Sequence, residues 1–319
     1  VHRWTDLDQV PPGFGPSVVT IGNFDGVHLG HRQVLTRMVA DAHAAGGGAQ
    51  AVAVTFDPHP RQLHRPEDAP PLITGVRDKL ELLAETGLDA VLVQPYTWEF
   101  ARQSPEEFVR RFLVDGLHAV TVVVGHDVRF GWQNAGDLST MLELGTEYGF
   151  TVEVIPEVTT PDGARRWSST WVRELLVVGD VSGAAEILGR PHRLRGVVVE
   201  GDKRGRELGF PTANLSADAD GLVPDDGVYA GWLSVVRPDA GSRERLPAAI
   251  SIGTNPTFAG ESRRVEAYVI GRTDLDLYGD EIMLEFAERL RPTLTFDSVD
   301  DLIATMNDDV AKARVVLGI

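Results

Sequence analysis

The chain has 319 residues, 43% hydrophobic and 24% charged, which gives room for two globular cores, and no apolar run approaches membrane-spanning length. A formal net charge of −17 argues against a protein whose main task is gripping nucleic acid, because phosphate backbones are held through a Lys/Arg surplus. With no cysteine there are no disulfides or thiolate metal sites, and the first residues lack a signal peptide's apolar core, so a cytoplasmic protein without a membrane partner is expected.

From Val18 to about Leu188 short apolar strands alternate with helical patterns, which predicts a doubly wound α/β parallel sheet covered on both faces. The expected strands are Val18–Gly22, Ala51–Phe56, Ala90–Gln94, Ala119–Gly125 and Thr151–Ile155. A helix is expected from about Leu29 to Ala45, and others over Gly75–Glu85, Pro105–Leu113 and Asp137–Tyr148. Between the first strand and the first helix lies Gly22-Asn23-Phe24-Asp25-Gly26-Val27-His28-Leu29-Gly30-His31. Its glycines allow close backbone approach, and the helix start offers unpartnered N–H groups. His28 and His31, spaced i, i+3, project from one face. Together these form a phosphate cradle, although neither common phosphate-loop pattern is present.

Three strand ends, at Gly22, at Asp57-Pro58-His59-Pro60 and at Gly125-His126-Asp127, should open onto one crevice. Ser168-Ser169-Thr170-Trp171-Val172-Arg173 places hydroxyls where a helix N-cap belongs and an Arg one turn in.

After Gly189-Arg190-Pro191-His192 β-branched and aromatic runs replace helical periods. Val197–Glu200, Val228–Val236, Ala248–Ile252, Arg264–Ile270 and Ile282–Leu290 read as an antiparallel β-barrel, followed by a C-terminal helix over about Ser298–Val316. A domain boundary is expected near residue 187, giving domains 1–187 and 188–319. Gly201 to Gly209 reads as a polar hairpin loop or, with Lys203, Arg204 and Arg206, as a phosphate wrap. The Thr212 hydroxyl and Asn214 amide oxygen, two residues apart on an extended segment, are hard ligands suited to Mg²⁺ that bridges ATP phosphates.

The run Gly22–His31 resembles the H-x-G-H signature of the nucleotidylyltransferase superfamily, in the form carried by prokaryotic bifunctional riboflavin kinase/FAD synthetases. That element alone also fits pantetheine-phosphate and nicotinate adenylyltransferases and class I aminoacyl-tRNA synthetases. Besides Asp57-Pro58-His59-Pro60, which also matches an element of that family, two further elements of the first half are similar to it: the S-S-T-x-[IV]-R run, and Gly125-His126-Asp127-Val128-Arg129-Phe130-Gly131. The second departs from the family pattern at His126 and Val128. In the second half Gly209-Phe210-Pro211-Thr212-Ala213-Asn214 resembles the hallmark of riboflavin kinases, and Glu266 falls where that family places its catalytic carboxylate.

The resemblance implies a Rossmann-like nucleotidylyltransferase domain followed by a riboflavin kinase-like barrel. Its expected substrates and products are ATP, riboflavin, FMN and FAD. His28, His31 and Arg173 would stabilise the triphosphate. Gly22, Asn23, Phe24, Asp25, Gly26, Asp127, Ser168, Ser169 and Thr170 would bind substrate in the first domain. Gly201, Lys203, Arg206, Gly209, Phe210 and Pro211 would bind it in the second. Thr212 and Asn214 would hold Mg²⁺, and Glu266 would accept the proton of the ribityl hydroxyl. The competing readings are a nucleotidylyltransferase for another phosphorylated substrate and a flavin- or nucleotide-binding regulator without turnover.

Overall fold

The apolar runs of the first half form parallel strands, and the central ones, Ser17–Ile21, Gln50–Asp57 and Ala90–Pro95, are buried on both faces. The computed structural model describes residues 1–44, 48–201, 205, 208–237, 244–257 and 260–319, with side chains at all of these except 255–257 and 260–262. Strands β1 (His2–Trp4), β2 (Ser17–Ile21), β3 (Gln50–Asp57), β4 (Ala90–Pro95), β5 (Ala119–Gly125) and β6 (Thr151–Ile155) form one sheet in the order β1-β4-β3-β2-β5-β6. Every pairing in it is parallel.

Successive strand residues enter different cores, as the pleat requires. Val19, Val52, Val54, Val122 and Val124 pack with Phe108, Phe112 and Met141 on one face. Val18, Ala51, Ala53, Val91 and Val123 pack on the other face with Leu35 and Met38 of α1 (Leu29–Ala44) and Leu82 and Leu83 of α2 (Val76–Ala84). The first face is covered by α3 (Leu138–Tyr148) and by a helical stretch that starts at Pro105 and widens into a π-helix over Val109–Gly116. Strand order reverses between β2 and β5, the switch point beyond whose carboxyl ends ligands collect in open α/β sheets.

The chain divides into two compact units, Val1–Pro71 with Val76–Trp167, and Leu72–Gly75 with Ser168–Ile319. The second begins with α4 (Ser169–Val177) and α5 (Val181–Leu188). Strands β7 (His192–Val199), β8 (Thr212–Leu215), β9 (Gly227–Val235), β10 (Leu246–Thr257), β11 (Gly260–Val269) and β12 (Glu281–Arg291) then close an antiparallel barrel in the order β10-β11-β8-β7-β12-β9. Closure gives every one of these strands a neighbour on both sides, although β8 pairs with β7 and β11 over short stretches only.

Helix α5 buries Val181, Ala184, Ile187 and Leu188 and packs on β7 and β12. Arg289 of β12 fastens the α4–α5 junction to the barrel by donating to the Val178 carbonyl (2.9 Å) and to the Asp225 carboxylate (2.8 Å). The C-terminal helix α6 (Val299–Leu317) is held by a buried charge-assisted pair, Arg291 to Asp309 at 2.8 Å.

Candidate functional site

Beyond β2 the backbone turns through positive φ at Phe24 (48°), Gly26 (79°) and Val27 (39°) before α1 begins. A left-handed conformation costs about 1–3 kcal/mol at a non-glycine residue and recurs at ligand-binding turns. The turn ends with Phe24, Asp25, Val27 and His28 all buried.

His28 stacks on His31, with ring centroids 3.7 Å apart and planes at 21°, and its Nδ1 accepts the His31 backbone N–H at 3.3 Å. The His28 side chain thus satisfies one of the orphan donors of the helix start. Gly30 permits the stack: a Cβ there would come within 3.1 Å of the His28 ring. Phe24 meets His31 edge-on at 5.4 Å. Burial first, then the neighbouring His28 and the Arg166 guanidinium, depress the His31 pKa well below the ordinary histidine value. Two imidazoles and a helix start are thus gathered at the end of β2, the kinds of group that favour a bound anion.

At the end of β5, Asp127 pairs with Arg166 at 3.1 Å, and Arg166 also reaches Glu157 at 2.7 Å. Partial burial pushes the Asp127 carboxyl up, but the Arg166 hydrogen bond and charge prevail and hold it below its usual range. His126 lies 3.6 Å from Glu157. A cleft of about 250 Å³ runs beside α1, lined by Gln33, Val34 and Arg37, by Ile155 at the end of β6 and by Pro156 and Glu157 after it. Beneath the turn, the Lys79 ammonium donates to the Asn23 carbonyl (3.4 Å), the Thr55 hydroxyl (3.2 Å) and the Phe56 carbonyl (3.3 Å).

Arg166 and Lys79 escaped the sequence reading. An Arg beside a hydroxyl run was a signal available for the first. A lysine inside a helical pattern reads as solvated and gave none for the second.

In the second unit, Ser168 is the N-cap of α4 and accepts the Trp171 N–H at 3.2 Å. Ser169 and Arg173 are half-buried and Thr170 is exposed. On β8, Thr212 and Asn214 share one face, and β11 pairs Glu266 opposite Asn214. The Thr212 hydroxyl donates to the Glu266 carboxylate at 3.2 Å. Ala213, Leu215, Val265 and Ala267, the alternating neighbours, are buried. Thr212, Asn214 and Glu266 are thus presented together by register alone.

Gly201 lies against the Asn214 amide so closely that a Cβ would approach it to 2.4 Å. Phe210 is buried and meets Tyr268 edge-on at 5.2 Å. Beside Pro211 and Thr212 a hollow of about 40 Å³ is walled by Val198, Ala267, Leu275 and Tyr278. Lys203 and Arg206 lie outside the described residues, whereas Gly209 is a turn residue at φ 86°. The hydroxyl, amide and carboxylate oxygens are a hard donor set that fits Mg²⁺ held by few protein ligands and by phosphates. Among the described residues no cluster of three or more His, Cys, Asp or Glu offers an all-protein metal cage.

Comparison with known proteins places these observations in a family. The family model described as FAD synthetase matches residues 12–170, and that described as riboflavin kinase matches 188–317. The bifunctional riboflavin kinase/FMN adenylyltransferase of Escherichia coli (strain K12) is 35% identical over 302 residues, covering 95% of this chain and 93% of its own. That of Pseudomonas fluorescens is 37% identical over 311 residues, covering 97% and 96%. A crystal structure described as a macrolide-efflux protein of Streptococcus pneumoniae is 27% identical, covers 98% of both chains and superposes with a TM-score of 0.83. Among the described residues of the present chain, no helix is long and apolar enough to cross a membrane.

Proposed function

The chain belongs to the bifunctional riboflavin kinase/FMN adenylyltransferases, and we propose that it divides their two reactions between the helix-start histidines and the Thr212-Asn214-Glu266 face. It phosphorylates riboflavin with ATP to FMN and adenylylates FMN with ATP to FAD, releasing pyrophosphate. The domain assignment that goes with the proposal is 1–187 for adenylylation and 188–319 for the kinase.

One observation carries the division: each fold presents the kind of group that its reaction needs. The ribityl hydroxyl is a poor nucleophile until it loses its proton, and Glu266, oriented by the Thr212 hydroxyl at 3.2 Å, is the carboxylate to accept it. Thr212 and Asn214 would hold Mg²⁺, which when bound supplies charge neutralisation for the transferring phosphoryl group. The FMN phosphate, by contrast, is already anionic at neutral pH, so its attack on the α-phosphorus needs no base. His28 and His31 then act as preorganised donors to the charge that moves onto the departing pyrophosphate. Gly22, Asn23, Phe24, Asp25 and Gly26 bring backbone to the phosphates, and Asp127 closes the neighbouring strand end. Ser168, Ser169, Thr170 and Arg173 enter the proposal on their motif alone, as do Gly201, Lys203, Arg206, Gly209, Phe210 and Pro211.

Separating flavins by chromatography after incubation with riboflavin and Mg-ATP tests the assignment. A His31→Ala protein should accumulate FMN, and a Glu266→Gln protein should leave riboflavin unphosphorylated while still converting supplied FMN to FAD. The reverse pattern would refute the division.

A further inference from the structure

Lys79 lies in the first turns of α2 with its side chain beneath the Asn23–Val27 turn, only 7% exposed. Its three ammonium protons meet three oxygens: the Asn23 carbonyl at 3.4 Å, the Thr55 hydroxyl at 3.2 Å and the Phe56 carbonyl at 3.3 Å. The Thr55 hydroxyl spends its own proton on the Asn23 carbonyl, at 3.1 Å. The four groups form a closed set in which every donor has an acceptor, and it joins the turn that follows β2 to the end of the adjacent strand β3. None of the three acceptors is a carboxylate. Asp25, itself buried, and Asp57 act on the ammonium through space, and burial outweighs them to lower the Lys79 pKa. A methionine of similar length would fill the same volume without the cost of desolvating a charge, so packing alone does not call for an ammonium here.

We propose that Lys79 is a positioning residue for adenylyl transfer: it holds the Asn23 carbonyl at a fixed distance from the end of β3, and so pre-forms the turn that delivers backbone N–H groups and the two histidines to the phosphates. The inference rests on the reading of that turn as the adenylylation site. Lys79 touches no substrate; it acts through the backbone of Asn23. Of the neighbouring residues at positive φ, Phe24 follows Asn23 directly and carries the ring that meets His31. A turn released at Asn23 would thus shift both phosphate-facing backbone and the His31 ring, and an error of about 1 Å in such a constellation costs on the order of a hundredfold in rate.

The experiment compares Lys79→Met, Thr55→Val and His31→Ala in the full chain. FAD synthesis from supplied FMN is measured well below each thermal midpoint and normalised to riboflavin phosphorylation by the same protein. Lys79→Met should lower normalised kcat/KM for adenylylation by about tenfold or more, with KM for ATP raised and kcat reduced. Thr55→Val, which removes one acceptor and the hydroxyl bond to Asn23, should show a smaller loss in the same parameter. A purely structural lysine predicts a lower midpoint but unchanged kcat and KM in the folded enzyme, and that result would overturn the proposal. If Lys79→Met does not fold, unchanged kinetics in Thr55→Val overturn it equally. His31→Ala separates the two levels: a loss there without one at Lys79 defeats the lysine alone, whereas no loss in any of the three defeats the site reading and the lysine with it.

Discussion

The His28 ring lies nearly flat on that of His31, centroids 3.7 Å apart, while its Nδ1 accepts the His31 backbone N–H at 3.3 Å. The bond fixes a tautomer: with Nδ1 accepting, the proton of a neutral His28 is on Nε2, which makes Nε2 the ring's donor. His31, depressed by burial, then by His28 and Arg166, is uncharged at neutral pH. In the free enzyme His31 is therefore the uncharged member of the stacked pair, and an anion bound against it would favour its protonation.

Replacing His31 by Ala should slow FAD formation by about a hundredfold to a thousandfold, the usual cost of one preorganised donor, with FMN formation near wild type. In the unliganded protein, NMR titration of the His31 ring should give a midpoint well below the ordinary histidine value. The folded pKa is the lower one, so the unfolded chain binds the proton first. The stability that His31 contributes is present above about pH 6.5 and is lost as pH falls. A midpoint near the ordinary value would contradict the buried stacked pair.

The five longer strands of the first unit were legible because valine and alanine runs bounded by glycine have few alternatives to a doubly covered sheet. Thr151–Ile155 and Ala119–Gly125 fall where the sequence puts them. Strand β1 was not legible, since three residues with only Trp4 buried carry no period. Nor was the full length of β7, which starts at His192 rather than Val197 because Arg193 and Arg195 alternate with apolar residues and find carboxylate partners in Glu285 and Glu281. Helix α5, which buries Val181, Ala184, Ile187 and Leu188, was not read from the sequence, since periodicity over eight residues does not say which core a face covers. At the candidate sites, motif spacing singles out His28, His31, Thr212 and Asn214, whereas the proposal for Lys79 depends on two carbonyls that no sequence pattern displays.

The register that sets Glu266 opposite Asn214 and within 3.2 Å of the Thr212 hydroxyl leads to a test in the kinase reaction. Glu266→Gln keeps shape and one acceptor but takes no proton at neutral pH, so riboflavin phosphorylation should fall by about 10²–10⁴-fold with ATP binding little changed. FAD made from supplied FMN should proceed at the wild-type rate. Undiminished kinase turnover would remove Glu266 from the role of base.

The packing of α5 on β7 and β12, with Ser182 bonded to the Ala287 carbonyl at 3.2 Å, bears on which fragment is stable. A fragment of residues 168–319 should unfold cooperatively at a clearly higher temperature than one of 188–319. The shorter one exposes the barrel surface that Val181, Ala184 and Ile187 cover, a loss of about 5 kcal/mol at the usual value per buried side chain. Both should phosphorylate riboflavin and neither should make FAD. Equal midpoints by calorimetry would show that the two helices add nothing to the barrel.

A final prediction concerns acid stability of the second unit. His192 opens β7 with its ring stacked on Phe286, 6.0 Å between centroids, and its Nε2–H donates to the Leu222 carbonyl at 2.7 Å. Its buried Nδ1 has no hydrogen-bond partner among the described residues, so the ring is neutral with one proton, on Nε2. Burial outweighs the Leu222 bond, and Arg190 adds to it, so that the pKa is lowered to about 4. The unfolded chain, titrating near 6.5, takes up a proton that the folded one refuses. Stability is therefore fully present above about pH 6.5 and falls as pH drops toward about 4, by about 3 kcal/mol in all. His192→Gln retains an N–H for the Leu222 carbonyl and does not titrate. Urea unfolding of the second unit between pH 7 and 4 should accordingly show the Gln variant losing about 3 kcal/mol less than wild type, whatever the absolute stabilities. Parallel pH dependences in the two proteins would mean that His192 takes its proton in the folded state, and the buried neutral ring would have to be abandoned.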